Sequence, residues 1–521
     1  MRYIRMVAVL ALLFFTTSFK VDASPASKNV IFMVMDGASS DAVSLARLYK
    51  GERLNLDEIL VGGVRTNSLN SAITDSAAAA TALSTGHKTF SGMVGMMPTI
   101  LNQRTDGSTP VASILEAAQL AGYGTGIVST SPVQHATPAG FSAHVLDREN
   151  YNDIAEQQVY QELDVVLGGG KQHLTPGPDK HHRQDNINLI EEIKSKGYFW
   201  ADTKEGLEQA EGPKIWGSFA ENDIAYELDR NTLSPESPTL AEMTKKAIDV
   251  LSKHSTGFFL FVEGSKVDWA AHKNDPVGMI SEILGFDEAV RVALDFAKKQ
   301  GNTMVIAVAD HGNSGISIGN GRTDGTYMET PISKIIPLLK RAELTATGAA
   351  TLLKDDRSNL KEVARLYGLD SLSEKEMKTL SNARDVDKVL GRLLANRANI
   401  GFTTYGHTGE DVFLYAYGPG KPSGYVENTD LPNAVANFLG IDLEQATEKL
   451  FMNARNWYES QGYTVTIDKK DPFEFVFVAK KDDQEIRYPE NKNFKFFNGE
   501  KVPLKGINVF NGTDFFVPKD E

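Results

Sequence analysis

Asn29-Val30-Ile31-Phe32-Met33-Val34-Met35 runs without a charged residue into Asp36-Gly37, and two later stretches repeat the pattern. Gly257-Phe258-Phe259-Leu260-Phe261-Val262 leads into Glu263-Gly264, and Thr303-Met304-Val305-Ile306-Ala307-Val308-Ala309 leads into Asp310-His311-Gly312. An apolar run with no alternation suits a strand buried on both faces, as in a parallel sheet covered by helices. Ligands of such sheets gather beyond the carboxyl ends of the strands, so Asp36, Glu263 and Asp310 are expected to line a site. Helical patterns at 110–121 and 240–254 alternate with these runs, and 122–129 reads as a turn and a strand. The expected fold is therefore α/β: a three-layer sandwich with a large, mostly parallel central sheet covered by helices.

Two regions stand outside this alternation. Residues from about 326 to 400 are charged and read as a helical insertion, with helices over 358–367 and 373–396. The extension 443–521 opens with a helical pattern over 443–461, then alternates in β fashion through 463–467, 473–479 and 507–518. Asn-Gly pairs at 498 and 511 mark turns in that β-rich tail. The glycines near 122 have the wrong spacing for a dinucleotide fingerprint, and Lys171 after Gly168-Gly169-Gly170 lacks the P-loop pattern.

Composition narrows the classes of function. The chain has 521 residues, a net charge of −14 and no cysteine. That charge argues against nucleic acid or an anionic membrane surface as a dedicated partner. An anionic substrate would need local positive charge from metal ions or a placed arginine. Without cysteine there is no disulfide, thiolate ligand or cysteine nucleophile. Met1-Arg2-Tyr3-Ile4-Arg5, an apolar run to about Phe19 and Val21-Asp22-Ala23 read as a secretory leader, residues 1–23, cleaved after about Ala23. The expected location is periplasmic or secreted, with no membrane attachment of the mature form.

The chemistry starts at Thr74-Asp75-Ser76-Ala77-Ala78-Ala79-Ala80-Thr81-Ala82-Leu83-Ser84-Thr85-Gly86. Alanine favours helix, and Asp75 and Ser76 suit its N-terminus, where unpaired N–H groups welcome an anion such as phosphate. Asp268 and His272 are four residues apart, a spacing that puts both on one helix face. With Asp36, Asp310, His311 and the loop residue His407 they supply enough nitrogen and oxygen donors for two adjacent divalent sites, of a type that favours zinc. Glu263 and Thr137 add hard oxygens, which suit magnesium. Such a cluster fits in-line displacement at phosphorus with Ser76 as nucleophile, and Arg148 offers a planar fork for two phosphate oxygens. His87, His144, His173, His181, His182 and His254 match no ligand pattern, and His181-His182 lies in a polar stretch that reads as surface.

Four motifs together, TDSAAAATALSTG, EGSKVDWAAH, ADHG and GHTGEDVFLYAYGPG, resemble those of alkaline phosphatases of the bacterial and animal type. The similarity runs from about Asn29 to about Gly440, outside the insertion, which implies a catalytic domain over 24–442. The resemblance implies a phosphorylated nucleophile at Ser76 and substrate contact by Arg148. It implies one zinc on Asp268, His272 and His407, a second on Asp36, Asp310, His311 and Ser76, and a magnesium shared by Asp36, Thr137 and Glu263. Two Zn2+ and one Mg2+ per subunit, phosphate monoesters as substrates and a homodimer are further implications. His135 stands where some members have Asp, and Trp269 where others have Lys or His. Both positions alter charge near the phosphate and the third metal, and His135 is open between ligating that metal and sitting beside it. A phosphodiesterase or sulfatase of the same superfamily is the alternative. A sulfatase, however, needs a convertible nucleophile in a Cys/Ser-X-Pro-X-Arg context, and alanines follow Ser76.

Overall fold

The structure, a computed structural model, describes residues 27–99, 107–179 and 181–519; the expected leader lies outside the described residues. Ten strands form the central sheet. From edge to edge they are Gly424–Glu427, Leu60–Arg65, Val412–Tyr417, Thr303–Val308, Lys28–Met35, Gly257–Gly264, Gly124–Pro132, Val165–Gly169, Ile215–Ser218 and Phe199–Ala201. Only Val412–Tyr417 runs antiparallel to its neighbours. The three apolar runs are thus adjacent central strands, paired in parallel register with Val34 opposite both Val308 and Glu263. Burial on both faces explains their unbroken hydrophobicity: Val30 to Val34 are all inaccessible to solvent.

Helices cover each face. On one, Leu240–Leu251 and the 25-residue helix Pro276–Gln300 pack together. The long helix starts at Asp275, whose carboxylate accepts from the Val277 and Gly278 N–H groups, with proline at its first turn. It stops at Gly301, whose φ of 79° favours glycine. On the other face Ser76–Thr85, Ile114–Leu120, Ala136–Ser142 and Asp430–Leu439 pack together. The alanines of Ser76–Thr85 have a steric purpose there: a Cβ at Gly140 would lie 2.6 Å from the Ala80 Cβ, so only small residues let these helices meet. Phe141 seals this layer onto the sheet, its ring 4.2 Å from Phe261 and 5.5 Å from Phe32.

Element boundaries differ from expectation in four places. The helix expected over 373–396 is two, Glu374–Ser381 and Val386–Arg397, because Asp385 adopts an extended conformation between them. The pattern at 443–461 divides into Leu443–Leu450 and Ala454–Ser460, since Asn453 leaves the helix to cap the second one, accepting from the Asn456 N–H at 2.9 Å. Residues 507–518 form a hairpin, Val509–Phe510 and Phe515–Val517, turning at Asn511-Gly512. Helix 110–121 is shorter, Ile114–Leu120, beginning after a capping box of Ser113 and Glu116.

The segment 326–400 holds two short 3-10 turns and five helices between Ile336 and Arg397. It is anchored near the sheet's carboxyl end: Asp275 accepts from the Ala346 N–H at 2.8 Å and from the Tyr367 hydroxyl at 2.6 Å. The C-terminal segment forms a five-stranded antiparallel meander, Thr464–Asp471, Glu474–Lys481, Gln484–Pro489, Phe494–Phe497 and Glu500–Pro503. Its last three strands carry too little alternation to be seen in sequence. Phe477, Tyr488, Tyr458 and Phe515 make its core, and Asn491 docks it by accepting from Gln157 Nε2 at 2.9 Å.

Candidate active site

The three central strands deliver their terminal carboxylates to one place. Asp36, Glu263 and Asp310 are each essentially without solvent contact, as is His311. Gly37 follows Asp36 with φ 70°, and a Cβ there would lie 2.6 Å from Asp268 Oδ1, so the turn requires glycine. The short helix Lys266–Ala271 brings Asp268 in from the next turn, and His272 Nε2 reaches Asp268 Oδ2 at 3.3 Å. His407 comes from the far side, its Nε2 3.5 Å from Asp268 Oδ1 and its ring stacked 3.7 Å from that of His311.

Among the described residues three groups present convergent donor atoms, all within 4.8 Å of one another inside each group. They are Asp268, His272 and His407; Asp36, Asp268 and His311; and Asp36, His135 and Glu263. The first coincides with one expected zinc set. In the second, Asp310 stands beside the trio, its Oδ2 3.3 Å from His311 Nε2. The third joins His135 to the expected oxygen ligands, while the Thr137 hydroxyl is buried beside it in the sequence and has no hydrogen-bond partner.

Several observations show that this donor set fits cations. Both oxygens of Asp36, Oδ2 of Asp310, Oε1 of Glu263, Oγ1 of Thr137 and Nδ1 of His135 are buried without a hydrogen bond, a costly state for polar atoms. Burial, then the charges of Asp310, Asp268 and Glu263, push the Asp36 carboxyl well above its ordinary range. Burial likewise pushes Glu263 up to about 7 and, helped by Asp268, Asp310 up to about 6. Burial also works on Asp268, but the bond and charge of His272 with the charges of His311 and His407 outweigh it and hold that carboxyl low. Burial and the neighbouring His311 lower His407 to about 4, and burial lowers His311 to about 4. The imidazole Nδ1 atoms of His272 and His407 face the carbonyls of Tyr405 and Thr74 at 2.6 and 2.8 Å, which turns both Nε2 atoms inward as donors to a metal.

Ser76 opens its helix at the edge of this cluster, 2% exposed, with Oγ 3.2 Å from His311 Nε2. Asp75, rather than Ser76, is the cap, accepting from the Ala78 N–H at 3.2 Å, which leaves the serine hydroxyl to the site. Arg148 donates to Asp75 Oδ2 and to His135 Nε2, both at 3.1 Å. Burial and the Arg148 charge lower His135 to about 3, so this imidazole is neutral. With Nε2 accepting from Arg148 its one proton belongs on Nδ1, and Nδ1 can bind a cation only when that bond is given up. Trp269 meets the His135 ring edge-on at 5.7 Å and is only partly buried.

Sequence reading missed the supporting groups. Asn313 Nδ2 donates to Asp268 Oδ1 at 2.6 Å, and the hydroxyl of Ser129 donates to Glu263 Oε2 at 2.7 Å. Asp75 was legible as a cap but not as the partner of Arg148.

Comparison with known proteins identifies the family. The alkaline phosphatase family model matches residues 27–441, and the chain belongs to that family. Alkaline phosphatase 4 of Bacillus subtilis is 36% identical over 436 residues, covering 79% of this chain and 88% of that protein. The repressible alkaline phosphatase of Saccharomyces cerevisiae is 32% identical, covering 85% and 87%. Among solved structures, the Thermus thermophilus alkaline phosphatase superposes with a TM-score of 0.72 at 28% identity, covering 81% of this chain and 95% of that one. A cold-active alkaline phosphatase from Shewanella gives 0.68 at 31%, covering 79% and 99%. The protein is accordingly a phosphomonoester hydrolase.

Proposed function

We propose that the protein hydrolyses phosphate monoesters through a covalent phosphoserine on Ser76, with two Zn2+ and one Mg2+ in the three donor groups. The observation that carries this reading is Ser76 Oγ at 3.2 Å from His311 Nε2, on the rim of a buried carboxylate and histidine cluster with unpartnered donor atoms. Asp268, His272 and His407 would hold one zinc, and Asp36, Asp310, His311 and Ser76 the other. Asp36, Thr137 and Glu263 would hold magnesium with His135 beside them, and a TAB5 alkaline phosphatase variant in which a histidine is replaced by glutamate has been solved with magnesium in its M3 site. When bound, such ions lower the pKa of coordinated hydroxyls and water and offset phosphate charge.

The chain's own groups do the rest. Helix Ser76–Thr85 presents its N-terminal N–H groups to an incoming dianion. Arg148, steadied by Asp75 and His135, directs its fork at two nonbridging oxygens. Ser76 Oγ forms the bond to phosphorus as the ester oxygen departs as alcohol. Water then attacks the same phosphorus from the vacated side, freeing Ser76 and inorganic phosphate. Splitting hydrolysis into two displacements lets one set of fixed charges serve both.

The test is kcat/KM for an aryl monoester against the matching diester, before and after stripping metal and restoring zinc plus magnesium. A large monoester preference that vanishes and returns with metal is expected; a diester preference would move the protein to a sister branch. Ser76→Ala should nearly abolish turnover, and wild-type activity in that variant would refute the covalent route. Export and a homodimer belong to the same proposal; they are tested by sequencing the mature N-terminus and by sedimentation.

A further inference from the structure

A cavity of about 990 Å3 lies beside the Arg148 turn, near the upper end of the range of small-molecule sites, about 300–1,000 Å3. One wall runs from His144, Val145 and Leu146 past the Arg148 turn to Glu149 and continues into helix Tyr151–Gln161. The facing wall is the C-terminal meander and hairpin, through Phe473, Phe475, Glu490 and Phe510. Glu149 links the cavity to the site, its Oε1 lying 4.0 Å from Arg148 Nε. A monoester with its phosphate at Arg148 would extend its alcohol portion into this space.

The chemistry of the walls selects the alcohol. Among the described residues five carboxylates line the cavity, Glu149, Asp153, Glu156, Asp185 and Glu490, against Arg183 as the one Lys or Arg. Arg183 is paired with Asp185, and Lys492, from just outside, with Glu156. Asp153 accepts only a 3.3 Å bond from Asn491, and Glu490 a 2.8 Å bond from the Phe475 N–H, so neither is in an ion pair among the described residues. Aromatic faces accompany them. Tyr151 lies 4.6 Å from the His173 ring, and Phe473 is 51% exposed at the mouth. Phe475 and Phe510 already hold a cation on their faces, Lys469 Nζ at 5.3 and 5.0 Å from the ring centres. Aromatic faces combined with unpaired carboxylates are the recognition chemistry of ammonium ions, quaternary ones included.

We infer that this cavity is a leaving-group subsite for phosphate monoesters whose alcohol carries an ammonium charge, an inference that rests on the phosphomonoesterase reading above. The whole molecule's excess negative charge favours the same cations at longer range. Esters with anionic alcohol portions, nucleotides among them, are disfavoured there.

Choline phosphate and its neutral carbon isostere, 3,3-dimethylbutyl phosphate, differ only in that charge, which is independent of pH. With the metal-loaded full chain at about pH 9.5, kcat/KM should favour choline phosphate by about tenfold. Phe473→Ala, at an exposed position that folding tolerates, and Glu490→Gln should each pull that ratio towards one. A wild-type ratio near one, or a ratio unmoved by both variants, overturns the subsite. Because the readout is a ratio, loss of all turnover points instead to failure of the phosphatase reading. Calorimetric titration with choline alone then decides: saturable binding weakened by Phe473→Ala supports the subsite, and no binding up to about 100 mM overturns it.

Discussion

Asp75 joins fold and site in one carboxylate, so its removal should separate what stabilises the protein from what binds phosphate. Oδ1 accepts from the Ala78 N–H at 3.2 Å, while Oδ2 accepts from the Gly92 N–H at 3.0 Å and from Arg148 Nη1 at 3.1 Å. In Asp75→Ala the lost helix cap costs about 1 kcal/mol. The orphaned Gly92 N–H adds about 1 kcal/mol. The ion pair is about one-fifth exposed on each side and screened, so it adds only a few tenths of a kcal/mol. The sum is roughly 2 kcal/mol, which for a chain of this size lowers Tm by roughly 2 °C. Asp75→Asn keeps an oxygen for the cap but removes the charge, so it should recover about 1 kcal/mol of the loss. In both variants Arg148 keeps His135 and a 4.0 Å contact with Glu149, and the inhibition constant for inorganic phosphate should rise about five- to tenfold. Thermal unfolding and competitive inhibition by phosphate read the two effects separately. If Asp75→Ala melts with the wild type and binds phosphate equally well, the reasoning from these three bonds is wrong.

Gly37→Ala should lower kcat/KM by about a hundredfold or more, because its Cβ would displace Asp268, and a donor misplaced by about 1 Å costs that much; the loss should persist with excess zinc in the assay. In metal-stripped protein, Asp310 at about 6 and Glu263 at about 7 sit above their unfolded values. Between roughly pH 4 and 7 each of these two carboxyls holds a proton in the folded state that the unfolded chain has lost, and so takes away stability as pH rises. The lowered His311, His407 and His135 act in the opposite sense up to about pH 6.5. Metal-stripped Glu263→Gln should therefore lose less stability than the wild type between about pH 5 and 7, as denaturant titrations at stepped pH would show. Glu282 is a case away from the metals: burial pushes it up to about 8, and its Oε1 accepts from the Glu227 N–H at 2.6 Å. Its raised pKa costs stability progressively from about pH 4.5 to about 8, on the order of 5 kcal/mol in full. Glu282→Gln keeps the acceptor, so the variant should match the wild type near pH 4.5 and melt higher at pH 9; an equal Tm at pH 9 would refute the assignment.

Strand runs were legible because a strand buried on both faces must be apolar at every position, and each such run here stops at a carboxylate. Asp36, Glu263 and Asp310 could therefore be placed at one sheet end before any coordinates. Asp268 and His272 were legible through helical spacing. His407, in a loop with no periodicity, counted only alongside the other donors, and its Nδ1 contact with Thr74, which spans 333 residues, was not legible. Trp269 could be flagged only by resemblance. The Asn313 and Ser129 supports were invisible because a single amide or hydroxyl in an apolar context carries no pattern. Helix breaks at 382–385 and 451–453 escaped for a related reason: they depend on one residue leaving helical dihedrals, which composition does not encode.

Neighbouring parallel strands sit about 4.8 Å apart, held by their own ladder of hydrogen bonds. Asp36, Glu263 and Asp310 ride on three such neighbours, so the spacing of the reactive centre is inherited from the main chain. Loops, insertions and appended units can be gained, lengthened or lost around that ruler without resetting it. An engineer seeking new substrates should therefore leave the strand ends untouched and diversify the walls contributed by the segment after Arg148 and by the C-terminal meander.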